Sequence, residues 1–238
     1  QKKPRSVRMT RKSQASARAM PVLPLGGSTR WTPGASRRSR SAAVIIDPAH
    51  VPNFDKFSKT ELEVLHYEFK ADLNKYLKSV DEDTRVHSLE EVIKFNEENS
   101  HKTMPYFGQE HMLTAQETKS LRDKKYREAL TKNLRLTRKE GIDAAMRKHK
   151  LDALVVPTGG PAWLIDLVDG DSNNWDMEST SPAAVAGYPH ITVPAGYIFG
   201  LPVGVSFFGQ AWQEPELIKF AYAFEQATKR RVPPPSAP

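Results

Sequence analysis

Two serines can be considered as candidate nucleophiles, and their neighbours differ. Ser28 lies in Leu25-Gly26-Gly27-Ser28-Thr29-Arg30, where glycines could let backbone N–H groups approach an oxyanion next to the hydroxyl. This segment is the one Gly- and Ser-rich candidate for such a turn. Ser206 lies in a short apolar run without a glycine elbow around it, which is typical of a structural serine.

The seven histidines do not predict a metal site. They never fall at a paired ligand spacing such as i, i+4, and the chain has no cysteine to add a thiolate. His66 and His149 fall on charged helices, so we expect them to be solvated. The acidic stretch Asp166 to Asp176 lacks the alternating oxygen spacing of a calcium loop, and we interpret it as a solvated, mobile loop.

Charge divides the chain into a head and a body. Residues 1–40 contain eleven Lys and Arg and no Asp or Glu, whereas the other 198 residues contain 24 basic and 28 acidic side chains. The basic pI therefore comes from the head alone. Functions that depend on net positive charge, such as binding to nucleic acid or to an anionic surface, are confined to those forty residues.

The head is predicted to be disordered and not part of the fold, because it contains few large aliphatic side chains to offset the entropy of ordering. Three interpretations stay open: a targeting segment, a basic nucleic-acid tail, and translation of GC-rich DNA in another frame, which we favour. Since the first residue is Gln rather than Met, we expect a processed or incomplete chain.

The body begins with one predicted strand and three helices. Ala43 to Ile46 is a continuous apolar run, as in a buried strand. Three- and four-residue spacing predicts a helix over 59–80, and capping boxes at Ser88 and Thr114 predict the starts of two more. The 59–80 helix is expected to bury one apolar stripe, formed by Leu62, Leu65, Phe69, Leu73, Tyr76 and Leu77. Gly141 is expected to bend the third helix.

The last third of the chain alternates short strands and helices. Ala153 to Val156 reads as a strand that ends at Pro157, and Ser181-Pro182 as a short helix start that Gly187 stops. Two strands follow, Ile191 to Val193 and Val203 to Phe208, as a hairpin. An amphipathic helix containing Leu217, Phe220, Ala221, Phe224 and Ala227 closes the body.

This order of elements resembles the C-terminal part of the amidase signature family, serine hydrolases that cleave carbon-nitrogen amide bonds. The resemblance covers about residues 42–233, and its specific part is Asp152 to Gly209, with ALVVPTGG and SPAAVAGYPHITVPAGYIFGLPVGVSFFG. It implies strands of a central mixed sheet and part of the substrate-pocket wall. Trp163 and Trp175 are interpreted, by this resemblance, as substrate-binding residues at the pocket rim.

The resemblance also implies a catalytic serine in a Gly- and Ser-rich signature, a second serine, and an upstream lysine as base. Ser28 departs from that signature because Arg30 occupies a position where small residues are expected, and only 25 residues precede Gly26. We therefore predict no catalytic residue, no metal ligand and no cofactor in this chain.

We predict an α/β fold: a mixed sheet flanked by helices, an incomplete amidase-type domain over 42–233. The predicted function is that of the C-terminal portion of an amidase acting on a small-molecule or peptide amide, with this chain alone inactive. The alternative is a non-catalytic interaction module whose basic tail binds nucleic acid or an anionic surface. A cytoplasmic location without a membrane partner is expected. Self-association is expected through an exposed apolar edge, at Val44 to Ile46 or Ala153 to Val156.

Overall fold

The computed structural model describes residues 43–81, 83–168, 170 and 179–234, together with the backbone of residues 7–10. The chain divides into two compact units, where we expected one folded part. Unit 1 contains residues 1–54 and 136–238, and unit 2 contains residues 55–135. Each unit has its own buried clusters, which explains why the chain separates in this way.

Unit 1 is built on a mixed sheet of five strands. They are β1 Val7–Thr10, β2 Ala43–Ile46, β3 Ala153–Pro157, β4 His190–Ile198 and β5 Leu201–Phe208. Their order is β2-β1-β3-β5-β4. The first three pair in parallel, whereas β5 is antiparallel to both β3 and β4. The predicted mixed sheet and the β4–β5 hairpin are confirmed.

Strand β1 is a difference from the sequence interpretation, which placed no strand in residues 1–40. The structure pairs Val7–Thr10 with β2 on one side and β3 on the other. Val7 and Met9 alternate with Arg8 and Thr10, but four residues in a basic segment are too few for this alternation to predict a strand. The position of β3 between β1 and β5 also shows that the expectation of an edge at Ala153 to Val156 is wrong, whereas β2 lies at an edge. The rest of the head lies outside the described residues.

Helices cover both faces of this sheet, as the alternation of side chains along β3 and β5 requires. They are α6 Asp143–His149, α7 Thr180–Ala186 and α8 Glu214–Thr228. One face contributes Leu154 and Phe208 to a cluster with residues of α6 and α7. The other contributes Ala153 and Phe207 to a cluster with α8.

A wide, π-helical segment, Arg135–Ile142, leads into α6 and confirms the bend expected at Gly141. Gly141 has φ −115° and ψ −107°, which are not helical values. A Cβ atom built there would lie 2.5 Å from the carbonyl oxygen of Leu136. Only glycine fits the kink in this form.

Unit 2 is helical. Its helices are α1 Ser58–Leu77, α2 Leu89–Glu98, α3 Ser100–Thr103, α4 Glu110–Gln116 and α5 Lys124–Leu134. The predicted start at Ser88 is confirmed, because its Oγ accepts a hydrogen bond from the Glu91 N–H at 3.2 Å. The predicted start at Thr114 is wrong: this residue lies inside α4, and Asp123 caps α5 instead. Within the described residues, no helix combines the length and apolar character needed to cross a bilayer.

Helix α1 buries only part of the predicted stripe, since Leu77 is buried and Leu73 packs against a buried cluster with α2 and α4. Its buried residues are Val64, Tyr67 and Leu77. Four members of the predicted stripe are exposed, namely Leu62, Leu65, Phe69 and Tyr76. The helix carries apolar side chains on two sides, and α5 covers the side formed by Val64 and Tyr67.

Two tyrosines join α1 to α5. The Tyr67 hydroxyl donates to Asp123 Oδ2 at 2.7 Å, and the Tyr126 hydroxyl donates to Glu68 Oε1 at 2.7 Å. The hydrogen bond to Asp123, aided by burial, raises the pKa of Tyr67 to about 12. Burial, aided by the hydrogen bond to Glu68, raises the pKa of Tyr126 to about 12. Both contacts require the protonated hydroxyl.

Alkaline pH is therefore expected to weaken unit 2. The raised pKa values mean that the tyrosines add stability fully below pH 10, and that this stability is lost as the pH rises from 10 to about 12. Urea unfolding followed by helical circular dichroism at pH 9, 10 and 11 would measure how steeply the free energy of unfolding falls with pH, which we call the slope. The slope should be smaller in Tyr67→Phe/Tyr126→Phe and unchanged in Tyr76→Phe, whose side chain is exposed. An equal slope in all three proteins would contradict this origin.

Candidate functional site

Three hydroxyl side chains meet where β3 ends. Thr158 follows β3 directly, and Thr192 of β4 pairs in register with Ser206 of β5. The Ser206 Oγ lies 2.7 Å from Thr158 Oγ1 and 2.9 Å from Thr192 Oγ1, and the two threonine oxygens are 3.4 Å apart. We call these three residues the hydroxyl cluster. It ties the end of β3 to the middle of the β4–β5 hairpin.

Gly204 gives the cluster its room. A Cβ atom at this position would lie 2.6 Å from Thr192 Cγ2 and 2.7 Å from Thr158 Oγ1. The Gly204 carbonyl also accepts a hydrogen bond from the Thr158 N–H at 2.9 Å. The Val203-Gly204-Val205-Ser206 order of β5 therefore has a packing reason that its apolar pattern alone did not reveal.

Ser179 connects this point to the start of α7. Its N–H and its hydroxyl both donate to the Thr158 carbonyl, at 3.3 and 3.1 Å. The helix start predicted at Ser181-Pro182 is close to the observed one, because α7 begins at Thr180, and the N-cap residue Ser179 makes no side-chain cap hydrogen bond. Gly187 does end the helix, with φ 63°, as predicted.

The cluster is not a nucleophile with its base. Ser206 is fully buried, and its described hydrogen bonds lead to two other hydroxyls. A hydroxyl group does not accept a proton at neutral pH as an imidazole or a neutral lysine does. This geometry supports the structural interpretation of Ser206. Ser28, the other serine considered, lies outside the described residues.

His190 lies on the same side of β4 as Thr192, two residues away along the strand. Its ring stacks on Phe208, with centroids 5.8 Å apart. Burial lowers the pKa of His190, which favours the neutral ring. In the part of the chain that the structure describes, its buried Nε2 has no hydrogen-bond partner. The sequence did not single out this residue, because a lone histidine before a strand carries no spacing signal.

Open backbone and exposed apolar side chains follow the cluster. A Cβ atom at Gly159 or Gly160 would meet nothing within 4 Å, so a ligand could approach this backbone closely. Trp163 is 45% exposed, and Leu164 and Val168 are 90% and 92% exposed. Trp163, one of the two predicted rim residues, thus lies on the surface, a few residues after Thr158 of the hydroxyl cluster. Trp175, the other, lies outside the described residues.

No group of three or more His, Asp or Glu side chains among the described residues could hold a metal ion. The arrangement could position a ligand and pack against it, since it combines a fixed hydroxyl cluster, an open glycine pair and an exposed apolar run. It does not contain a described acid–base pair for covalent catalysis.

Comparison with known proteins relates this chain to amide-cleaving enzymes. The family model described as Amidase matches residues 36–218. A probable amidase of Arabidopsis thaliana is 37% identical over 202 residues, which cover 82% of this chain and 35% of that protein. A glutamyl-tRNA(Gln) amidotransferase chain of Methanosarcina barkeri is 36% identical over 44% of this chain and 22% of its own length.

Solved structures agree. The native peptide amidase from Stenotrophomonas maltophilia has a TM-score of 0.73 and 44% identity, over 82% of this chain and 38% of its own. An amidase family protein from Bacillus anthracis has a TM-score of 0.64 and 30% identity, over 82% and 34%. The chain spans about a third of the length of the curated relatives that it matches over most of its own length.

Proposed function

This chain belongs to the amidase family, and we propose that it forms part of the substrate-pocket wall of an amide hydrolase whose nucleophile lies in another segment. The observation that carries the proposal is the state of Ser206, which is fully buried and bonded to Thr158 and Thr192. A serine with these contacts has a structural role in the pocket wall.

The proposed reaction of the complete protein is hydrolysis of a carbon-nitrogen amide bond. A serine attacks the carbonyl carbon, the nitrogen leaves as ammonia or an amine after taking up a proton, and water then hydrolyses the acyl-enzyme. In this scheme the hydroxyl cluster fixes the end of β3. The Gly159-Gly160 backbone and Trp163 are then held where a substrate can contact them.

Peptide amides are the substrate class that we propose. The likeness to a peptide amidase extends over 82% of this chain, and one such structure is of the enzyme with the competitive inhibitor chymostatin. The likeness to amidotransferase chains covers 34 to 44% of this chain. The longer match favours the peptide amidase relation.

A chimera tests this function. Residues 42–218 of this chain would replace the matching part of the Stenotrophomonas maltophilia peptide amidase, which keeps the rest of its own sequence. We expect the chimera to release ammonia from peptide amides. Trp163→Ala should raise KM about tenfold, which corresponds to a loss of roughly 1.4 kcal/mol of binding free energy, with little change in kcat.

Two controls accompany the chimera. Trp212→Ala removes another exposed tryptophan and should leave KM unchanged. The present chain by itself should release no ammonia. A folded chimera without activity would contradict the pocket-wall proposal, and turnover by the chain alone that is lost in Ser206→Ala would overturn our placement of the nucleophile.

Self-association through β2 is a second proposal. This strand lies at one edge of the described sheet, and Val44 and Ile45 are 42% and 48% exposed. The other edge strand, β4, contains Pro194, a residue that discourages edge pairing.

We expect the chain to form dimers or larger species in size-exclusion chromatography with light scattering. Ile45→Lys should shift it toward the monomer, because a charge on an edge strand opposes pairing. Ile218→Lys, at an exposed isoleucine of α8, is the matched control. If the wild-type chain is monomeric at all concentrations, self-association through β2 is contradicted.

A further inference from the structure

Two histidines from different helices meet in unit 2. His66 belongs to α1 and His111 to the first turn of α4. The Nε2 of His66 lies 3.1 Å from the Nδ1 of His111, and the ring centroids are 5.3 Å apart with the planes tilted by 34°. His66 thus has a histidine partner that the expectation of a solvated side chain did not include. The pair is invisible to sequence spacing because 45 residues separate its members.

The neighbouring charged groups on α1 already have partners. Glu63, one turn before His66, lies 2.6 Å from Lys125. Lys70, one turn after His66, donates its ammonium hydrogens to two backbone carbonyls at 2.6 and 2.8 Å. Glu63 and Lys70 are thus engaged elsewhere, and the two imidazoles contact each other. His111 is exposed and His66 is half-buried, so that water can reach the pair.

We propose that His66 Nε2 and His111 Nδ1 form a two-ligand site for a tetrahedral divalent transition metal such as Zn²⁺, with water as the other ligands. Zinc–nitrogen bonds of about 2.0–2.1 Å at a tetrahedral angle separate two nitrogens by roughly 3.3–3.4 Å. The observed 3.1 Å is a few tenths of an ångström shorter than this separation, so binding requires the rings to move apart slightly and to turn both nitrogen lone pairs toward the metal.

The chemistry of the donors selects the class of metal. Neutral imidazole suits Zn²⁺, Cu²⁺ and Ni²⁺, whereas Mg²⁺ and Ca²⁺ prefer oxygen ligands. No described group of three or more acidic or histidine ligands exists, so the site is an open one with two protein ligands. A bound ion would link α1 to α4 and stabilise the folded form of unit 2, since the unfolded chain does not hold the two rings together.

Calorimetric titration of the full chain with Zn²⁺ tests the site. We expect one ion per chain and a weakening of tenfold or more in His111→Ala, whose exposed side chain can be removed without affecting the core. His66→Gln should have the same effect. His101→Ala, at an exposed histidine of α3, is the matched control and should bind zinc as the wild type does.

A second readout identifies the ligand atoms. Long-range proton–nitrogen spectra of histidine-labelled chain should show zinc-dependent shifts at Nε2 of His66 and Nδ1 of His111. Mg²⁺ should cause neither shift. Equal zinc affinity in His111→Ala and the wild type would overturn the proposal, as would zinc-dependent shifts confined to other histidines.

Discussion

Replacement of Phe207 by Ala is expected to destabilise unit 1 by about 3–5 kcal/mol, the range for removing a buried phenylalanine. Phe207 is 2% exposed and contributes to the cluster between the sheet and α8. Its ring also meets Phe224 edge to face, with centroids 6.0 Å apart. Truncation would leave a cavity between β5 and α8 that neither the strand nor the helix can fill alone.

Urea denaturation followed by circular dichroism would give the free energy of unfolding. The matched control is Phe199→Ala, because Phe199 is fully exposed in the turn of the same hairpin. That variant should lose less than about 0.5 kcal/mol. Similar losses in the two variants would contradict the assignment of Phe207 to the core.

Replacement of Gly141 by Ala should destabilise the protein by about 1–3 kcal/mol, the cost of forcing an added methyl into a filled site. The new Cβ would lie 2.5 Å from the backbone oxygen of Leu136, which cannot rotate away as a side chain would. In an ordinary exposed helix position, the same change would stabilise by up to about 1 kcal/mol. The sign of the effect therefore distinguishes the kink from a regular helix.

Gly159→Ala is the control for this variant. A Cβ at Gly159 would have open space around it, so the expected change in unfolding free energy is within about 1 kcal/mol. Thermal unfolding of both variants would show the difference. A stabilising effect of Gly141→Ala would mean that the segment can adopt regular helical geometry.

The elements of unit 1 were largely predictable, because their signals are local. Pro157 ends β3, Gly187 ends α7, and the run Val203 to Phe208 lies in β5, as predicted. Strand β1 was missed because its order depends on neighbours distant in sequence. The same holds for the starts of α5 and α7, where Asp123 and Ser179 have roles that only the tertiary structure assigns.

Helix α1 shows why an apolar period does not identify the buried face. The predicted stripe contains more leucine, yet the helix buries Val64 and Tyr67, because Tyr67 can also satisfy its hydroxyl at Asp123. Counting apolar residues at helical spacing takes no account of hydrogen bonds or of where the neighbouring helices lie.

The candidate site was predictable only in part. Thr158 follows the ALVVP strand in the segment that carried the family resemblance, but its contacts with Thr192 and Ser206 depend on strand register. Register is fixed by pairing between strands that are far apart in sequence, and a single sequence does not state it. The histidine pair was hidden because its members lie 45 residues apart, on two different helices.

The division into two units has a consequence for the order of folding during synthesis. Residues 55–135 are continuous, whereas unit 1 is completed by strands that come after residue 135. Unit 2 therefore has all of its chain available before β3 exists, and it can fold as the ribosome continues. Of the two parallel partners of β1, β2 is made before unit 2, but β3 follows residue 135, so the early strands cannot join the rest of the sheet until later. We expect nascent chains stopped once residue 135 has left the ribosome, but before β3 has, to contain a protease-resistant helical segment over residues 55–135.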